Sequence, residues 1–285
     1  MAIQRLKARL HSAYCGQTHP HVADVALSKV VKRYEIPQIV LDSMLEGFEW
    51  DVSGRTYETL EEVLDYSARV AGTVGVMMAI IMNRRAARTL ARACDLGIAM
   101  QLTNIARDVG EDARNGRLYL PRQWLREEGI DPDAFLDQPD FTPALGRVIE
   151  RLLNEADIIY KRSLTGVTDL PFACRPGIRA AGLVYAEIGA QIRKNGFDSV
   201  TQRAFTGRAK KLSILATAVF MPSGLMACDT SPAIRETRYL VQATVKSGTM
   251  AGNAGERLLD IVARLNNRDM MMPQSRIKRV GRSIS

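Results

Sequence analysis

No stretch of this chain alternates apolar and polar residues long enough to make a half-buried strand, whereas apolar residues recur at helical spacing from one end to the other. The expected fold class is therefore all-α. Helices are expected at residues 22–34, 37–50, 58–82, 84–114, 142–165, 172–195 and 208–221. Breaks fall at Ser53-Gly54, at Gly116, between Pro139 and Pro143, and at Pro222-Ser223-Gly224. None of them is long or polar enough to link independent domains, and no internal repeat is evident. One helical domain over 1–285 is the economical reading. The 265–285 tail sets Arg268, Arg276, Lys278, Arg279 and Arg282 against Asp269 alone. That composition suits a solvated, mobile end, with peripheral membrane contact as the alternative.

Residues 70–82 (VAGTVGVMMAIIM) are apolar nearly all round but too short to span a bilayer, which suits a helix buried at the centre of a protein. The longest apolar run, Leu212 to Cys228, is broken by Pro222, Ser223 and Gly224, so no transmembrane helix is expected. The first residues, MAIQRLKARLHSAY, have no apolar core followed by a cleavage site, and a cytoplasmic location is expected. Cys15, Cys94, Cys174 and Cys228 form no CxxC pair, which argues against a disulfide framework or a thiolate zinc site. His11, His19 and His21 surround Cys15 at spacings a transition metal could use, and a solvated N-terminal segment explains them equally well.

A net charge of +8 suits nucleic acid, an anionic membrane surface or a polyanionic small substrate. Only nine of the 39 basic residues are Lys, and the rigid fork of arginine favours phosphate oxygens. With aromatics at 6% and no recognition-helix signature, nucleic acid is not an expected partner.

The chemistry concentrates on the expected helix 84–114. At 100° per residue, Gly97, Gln101, Asn104, Asp108 and Asp112 fall on one narrow stripe. Ile98, Leu102, Ile105 and Val109 form the adjacent apolar stripe, so the polar face borders the core. A solvated face is one reading of it. The other is a cation site: Asp108 and Asp112 are like charges one turn apart, and neither Arg107 nor Arg114 obviously neutralises them at helical spacing. Mg²⁺ or Mn²⁺ shared with a diphosphate suits two such carboxylates, because magnesium keeps waters and substrate phosphates among its ligands.

The segment QLTNIARDVGEDARNGRLYLP (101–121) closely resembles the second aspartate-rich motif of the squalene and phytoene synthase family, and most of all its bacterial phytoene synthases. EGFEWD (46–51) and YSARVAGTVG (66–75, beginning at Tyr66) resemble the helix pair that precedes that motif. Tyr185 in LVYAEIG and Arg203 in QRAFTGRAKKL resemble the family's tyrosine and arginine near the diphosphates. The resemblance covers about 25–215 and implies a single isoprenoid synthase domain with a central cavity. It implies that Asp108 and Asp112 bind Mg²⁺ or Mn²⁺, and that Arg107 and Arg203 take diphosphate charge. Gln101, Asn104 and Tyr185 would assist, with Gly72 and Gly75 lining the cavity. The implied reaction is head-to-head condensation of two geranylgeranyl diphosphates to phytoene, in carotenoid biosynthesis. Ordinary alternatives remain: Arg203 in a basic surface with Arg208, Lys210 and Lys211, Tyr185 as a core tyrosine, and the glycines as helix-packing residues.

The sequence departs from the family in one respect. The first aspartate-rich motif, DDxxD-like, has no counterpart upstream of the matched segments. The acid pairs Asp42/Glu46, Glu58/Glu62 and Glu61/Asp65 lie downstream of its place and are not accepted as substitutes. The chain is thus expected to be truncated at its N-terminus, to lack half of the metal site, and to be inactive or nearly so alone. Squalene or dehydrosqualene synthesis from farnesyl diphosphate, or a non-catalytic assembly factor of the same fold, are the alternatives.

Overall fold

The computed structural model describes residues 2–17, 20–220 and 229–250. Every regular element among them is helical. In order these are α1 (Ala2–Cys15), α2 (Val22–Tyr34), α3 (Gln38–Ser53), α4 (Leu60–Ser67), α5 (Thr73–Ile81) and α6 (Ala87–Arg114), followed by α7 (Arg122–Glu127), α8 (Pro132–Asp137), α9 (Pro143–Leu164), α10 (Arg175–Lys194), α11 (Arg208–Phe220) and α12 (Arg238–Met250). The chain divides into two compact units, residues 1–245 and 246–285. The expected basic tail, 265–285, lies outside the described residues, as do His19, Cys228 and the Pro222-Ser223-Gly224 break.

Local chemistry sets the helix ends. Thr59 caps α4 by accepting from the Glu62 amide, and Thr142 caps α9 with Pro143 behind it at the first helical position. The α6 helix stops at Asn115-Gly116, where Gly116 takes a φ of 70° that a side chain would oppose.

Three features differ from expectation. The expected helix 58–82 is α4 and α5 joined by a π-helical turn, Ala68–Gly72, in which the Thr73 amide reaches back to the Ala68 carbonyl. The joined helix, Leu60–Ile81, has the length and mean hydropathy to cross a membrane, although 44% of its apolar window is buried within the protein. It packs against α3 and α6, and those contacts account for its apolarity. The N-terminal residues are not a solvated segment. They form α1, which buries Leu10 and Ala13 and is pinned by Arg9–Asp24 and Lys7–Glu49 ion pairs. His21 Nδ1 accepts from the Ala23 amide as the cap of α2, and His11 Nε2 lies 3.5 Å from Cys15 Sγ. Among the described residues no group of three or more His, Cys, Asp or Glu is placed to hold a metal.

The long α6 is the axis of the core and packs most extensively on α9. Its stripe of Ile98, Leu102, Ile105 and Val109 is buried, as the periodicity requires. On its other side α5 and the π turn approach to backbone contact. A Cβ at Gly75 would lie 2.1 Å from the Ala93 carbonyl oxygen, and one at Gly97 would lie 2.2 Å from that of Ala71. Helix propensity alone makes Gly75→Ala and Gly97→Ala stabilising by about 1 kcal/mol. The backbone clash reverses the sign: each is expected to destabilise by about 3 kcal/mol in urea unfolding, because neither neighbour is a side chain that can turn away.

Candidate active site

The polar stripe of α6 does not face bulk solvent. Gln101, Asn104, Asp108 and Asp112 are all half-buried, and Asn104 Oδ1 is fully buried with no hydrogen-bond partner. Gln101 and Asn104 stand with Tyr185 of α10 at one end of a cavity of about 310 Å³. Its wall is otherwise largely apolar: Val70, Val74 and Met78 from the π turn and α5, Leu96 and Met100 from α6, Ile178 from α10. Gly75 lines the cavity as well as making the close crossing. Gly72 is not among the lining residues, because its Cα faces Thr237, whose Cγ2 would lie 3.6 Å from an added Cβ.

The two aspartates differ in electrostatic surroundings. Asp108 is held by Arg107, whose Nε donates at 2.8 Å, and by Arg203, whose Nε donates at 2.9 Å from a loop 95 residues away. Burial pushes its pKa up, but the hydrogen bonds and charges of the two guanidiniums win and hold it below the ordinary carboxylate value. Adjacent side chains on a helix do not normally face each other. Here the arginine is long enough to fold back over its neighbour, so the expectation that Asp108 lacks a cation is corrected. Arg114 is engaged elsewhere, donating to the Val200 carbonyl at 3.1 Å.

Asp112 has the unmet need. No ion pair reaches it among the described residues. Burial first, then the charges of Asp108, Glu111 and Asp51, raise its pKa to about 7, against a lowering by Arg117. A half-buried, under-compensated carboxylate one turn from Asp108 fits a divalent cation whose remaining ligands come from substrate and water, and the orphaned Asn104 oxygen lies two turns further along the same face.

Arg203 also pairs with Glu111 at 3.2 Å, whereas Lys210 pairs with Glu187 at 3.4 Å, so Arg203 turns toward α6 and away from that basic stretch. The rejected acid pairs are engaged: Glu46 and Asp65 both bind Arg69, Glu58 binds Arg126, and Glu62 accepts from the Glu58 amide. The acid on α3 that acts on Asp112 is Asp51, whose Oδ1 accepts from the hydroxyls of Tyr66 at 2.9 Å and Tyr119 at 2.8 Å. These two rings stack at 5.1 Å, with Tyr57 against both. Tyr66 therefore belongs to a tyrosine cluster behind the aspartates, outside the cavity lining. Asp51 and Tyr119 sit inside the segments EGFEWD and GRLYLP, but the pairing of α3 with the loop after α6 leaves no mark in spacing.

The squalene/phytoene synthase family model matches residues 1–213. The chain belongs to the squalene/phytoene synthase family. It is 49% identical to the phytoene synthase of Rhodobacter capsulatus over 85% of this chain and 73% of that one. Against the phytoene synthase of Cereibacter sphaeroides it is 46% identical over 97% of this chain and 79% of that one. A crystal structure of a dehydrosqualene synthase aligns with a TM-score of 0.68 at 27% identity, covering 76% of each chain. A squalene synthase from Alicyclobacillus acidocaldarius, at 22% identity and a TM-score of 0.65 over 69% of this chain and 74% of that one, has the same fold. Members of this family are prenyltransferases that generally use a divalent metal.

The raised pKa of Asp112 fixes the sign of a pH effect in the metal-free protein. The folded state binds this proton more tightly than the unfolded state, whose carboxyl titrates near ~4. The group's contribution is therefore fully present below ~4 and is lost as pH rises to about 7. Asp112→Asn removes the loss and is expected to raise stability at pH 8 by about 1 kcal/mol, solvent screening included. Thermal unfolding in a chelator at pH 5 and pH 8 measures it: the variant's gain at pH 8 shrinks at pH 5.

Proposed function

We propose that this chain condenses two molecules of geranylgeranyl diphosphate head to head into phytoene, by way of prephytoene diphosphate, in carotenoid biosynthesis. The observation that carries the reading is one continuous face of α6. Asp112 and Asp108 occupy its C-terminal end, Asn104 and Gln101 follow, and an apolar cavity runs behind them as far as Thr89. A diphosphate with a long hydrocarbon tail has the same two parts in the same order. Identities of 46–49% to curated phytoene synthases support the twenty-carbon substrate.

Asp112 and Asp108 are the residues that would hold Mg²⁺ or Mn²⁺, which when bound offsets diphosphate charge and improves the leaving group. The chain's own groups carry the rest. The guanidiniums of Arg107 and Arg203, which hold Asp108 in the free protein, present paired N–H donors to phosphate oxygens when substrate arrives. Asn104, with its free Oδ1, Gln101 and Tyr185 orient the head of the substrate at the cavity mouth.

The first diphosphate leaves with the electrons of its C1–O bond. The double bond of the second molecule attacks the allylic cation, and loss of a proton closes a cyclopropane. Departure of the second diphosphate, rearrangement and loss of another proton give phytoene. Between these steps Val70, Val74 and Met100 keep water from the cation, which would otherwise be captured as an alcohol.

The test is incubation with geranylgeranyl or farnesyl diphosphate and Mn²⁺, followed by product analysis, with metal-dependent binding of an unreactive substrate analogue in parallel. Because the sequence lacks a first aspartate-rich motif, little phytoene is expected from this chain by itself; metal-dependent binding of the C20 analogue is expected, and Asp112→Asn is expected to abolish the metal dependence of that binding. A C30 product formed in preference would reassign the substrate to farnesyl diphosphate. Failure to bind any prenyl diphosphate in the presence of metal would overturn the reading in favour of a non-catalytic relative.

A further inference from the structure

The end of the cavity opposite the aspartates is built differently from its walls. On α6 the lining runs from Asn104 to Thr89, fifteen residues apart, or ~22 Å of helix. At the Thr89 end the surface is formed by Thr89, Arg92, Val167 and Leu170, all buried, with Met82 from the α5–α6 turn beside them.

Behind this surface lies a network of charge with buried Arg92 and Asp95 at its centre and half-buried partners around them. Arg92 pairs with Asp95 at 2.9 Å and with Asp229 at 3.0 Å, and donates to the Ser231 carbonyl at 3.1 Å. Arg162 reaches the same Asp95 carboxylate at 3.3 Å. Arg88 grips both oxygens of Asp169 at 2.7 and 2.8 Å, and Thr89 Oγ1 donates to that carboxylate at 3.2 Å. The Arg92 stem fits only because residue 166 is glycine, where a Cβ would lie 2.3 Å from Arg92 Cβ. Three separate stretches, α6, the 165–170 turn and 229–232, are thereby fixed to one another.

Such an end cannot recede to admit a longer tail. Moving Arg92 separates it from the fully buried Asp95, which is strongly unfavourable, and moving Asp169 breaks its paired contacts with Arg88. The methionines Met78 and Met82 can adapt, because an unbranched thioether chain repacks readily. A cavity with one polar mouth and one immovable end measures length: a shorter tail leaves a void, and a longer one meets fixed groups.

We propose that Thr89, Arg92, Val167 and Leu170, with Met82 as an adjustable lip, form the stop that sets which prenyl chain length the enzyme accepts. The inference rests on the prenyl diphosphate reading above and adds the residues that choose among such substrates.

The experiment measures dissociation constants of unreactive thiolodiphosphate analogues with C15, C20 and C25 tails, in Mg²⁺, for the full chain and for Met82→Phe and Leu170→Ala. Inorganic diphosphate serves as the control for the mouth, and circular dichroism as the control for folding. Met82→Phe is expected to move the C20/C15 preference at least ~10-fold toward the shorter tail, and Leu170→Ala to move the C25/C20 preference by a similar factor toward the longer one. Diphosphate binding is expected to stay within about twofold. If Leu170→Ala fails to fold, Leu170→Val carries the same expectation with a smaller shift. Length preferences that stay within about twofold of the unmodified chain, or affinities that fall equally for all tails, overturn the inference alone. An unmodified chain that binds none of the analogues overturns the functional reading and this inference with it.

Discussion

The site hangs on a contact between two backbones. Gly75 against the Ala93 carbonyl and Gly97 against that of Ala71 let α5 and the π turn approach α6 with no side chain between them. That proximity leaves the flanking residues, Val74, Met78, Leu96 and Met100, to diverge on the far side and line a cavity instead of filling the space. A side chain at either glycine would push the helices apart and change the cavity along its whole length. The same stretch of chain, Leu60–Ile81, has the length and composition of a membrane span, and its apolarity is used in packing and in cavity lining.

At the other end of α6 the constraint is charge. Two aspartates one turn apart share a half-buried face, and the fold resolves the repulsion unequally. Asp108 takes two arginines and stays ionised, while Asp112 is left to share a proton at neutral pH. This division makes the metal-free protein tolerable and keeps a cation attractive, since an ion at Asp112 replaces a proton that is only weakly held. Asp51, held by the hydroxyls of Tyr66 and Tyr119, adds negative charge from behind without touching the cavity.

Much of this was legible in the residues. The apolar stripe of α6 is buried where the periodicity puts it, and its polar stripe borders the core. The helix at 22–34 has the expected bounds, and the one expected from 208 begins at Arg208. What escaped did so for physical reasons. The α1 helix carries Ile3, Leu6, Leu10 and Ala13 at helical spacing, but the three histidines around Cys15 read as a metal site or a solvated segment. The π turn adds one residue to a helical turn, a shift too small to disturb a periodicity judged by eye. Gly72 and Gly75, three residues apart in one apolar run, face different partners, Thr237 for the first and the Ala93 backbone for the second.

The sequence by itself determined the helical class, the family, and the order of polar and apolar groups along α6, because each is a property of neighbouring residues on a regular helix. Only the tertiary structure decided how those groups are used. Arg203 reaches Asp108 from 95 positions away, Asp51 of α3 meets Tyr119 of the loop after α6, and Arg92 meets Asp229 beneath the cavity end. Pairings of this kind are set by how helices cross, and a crossing fixed by two glycines is not written in the spacing of the residues it brings together.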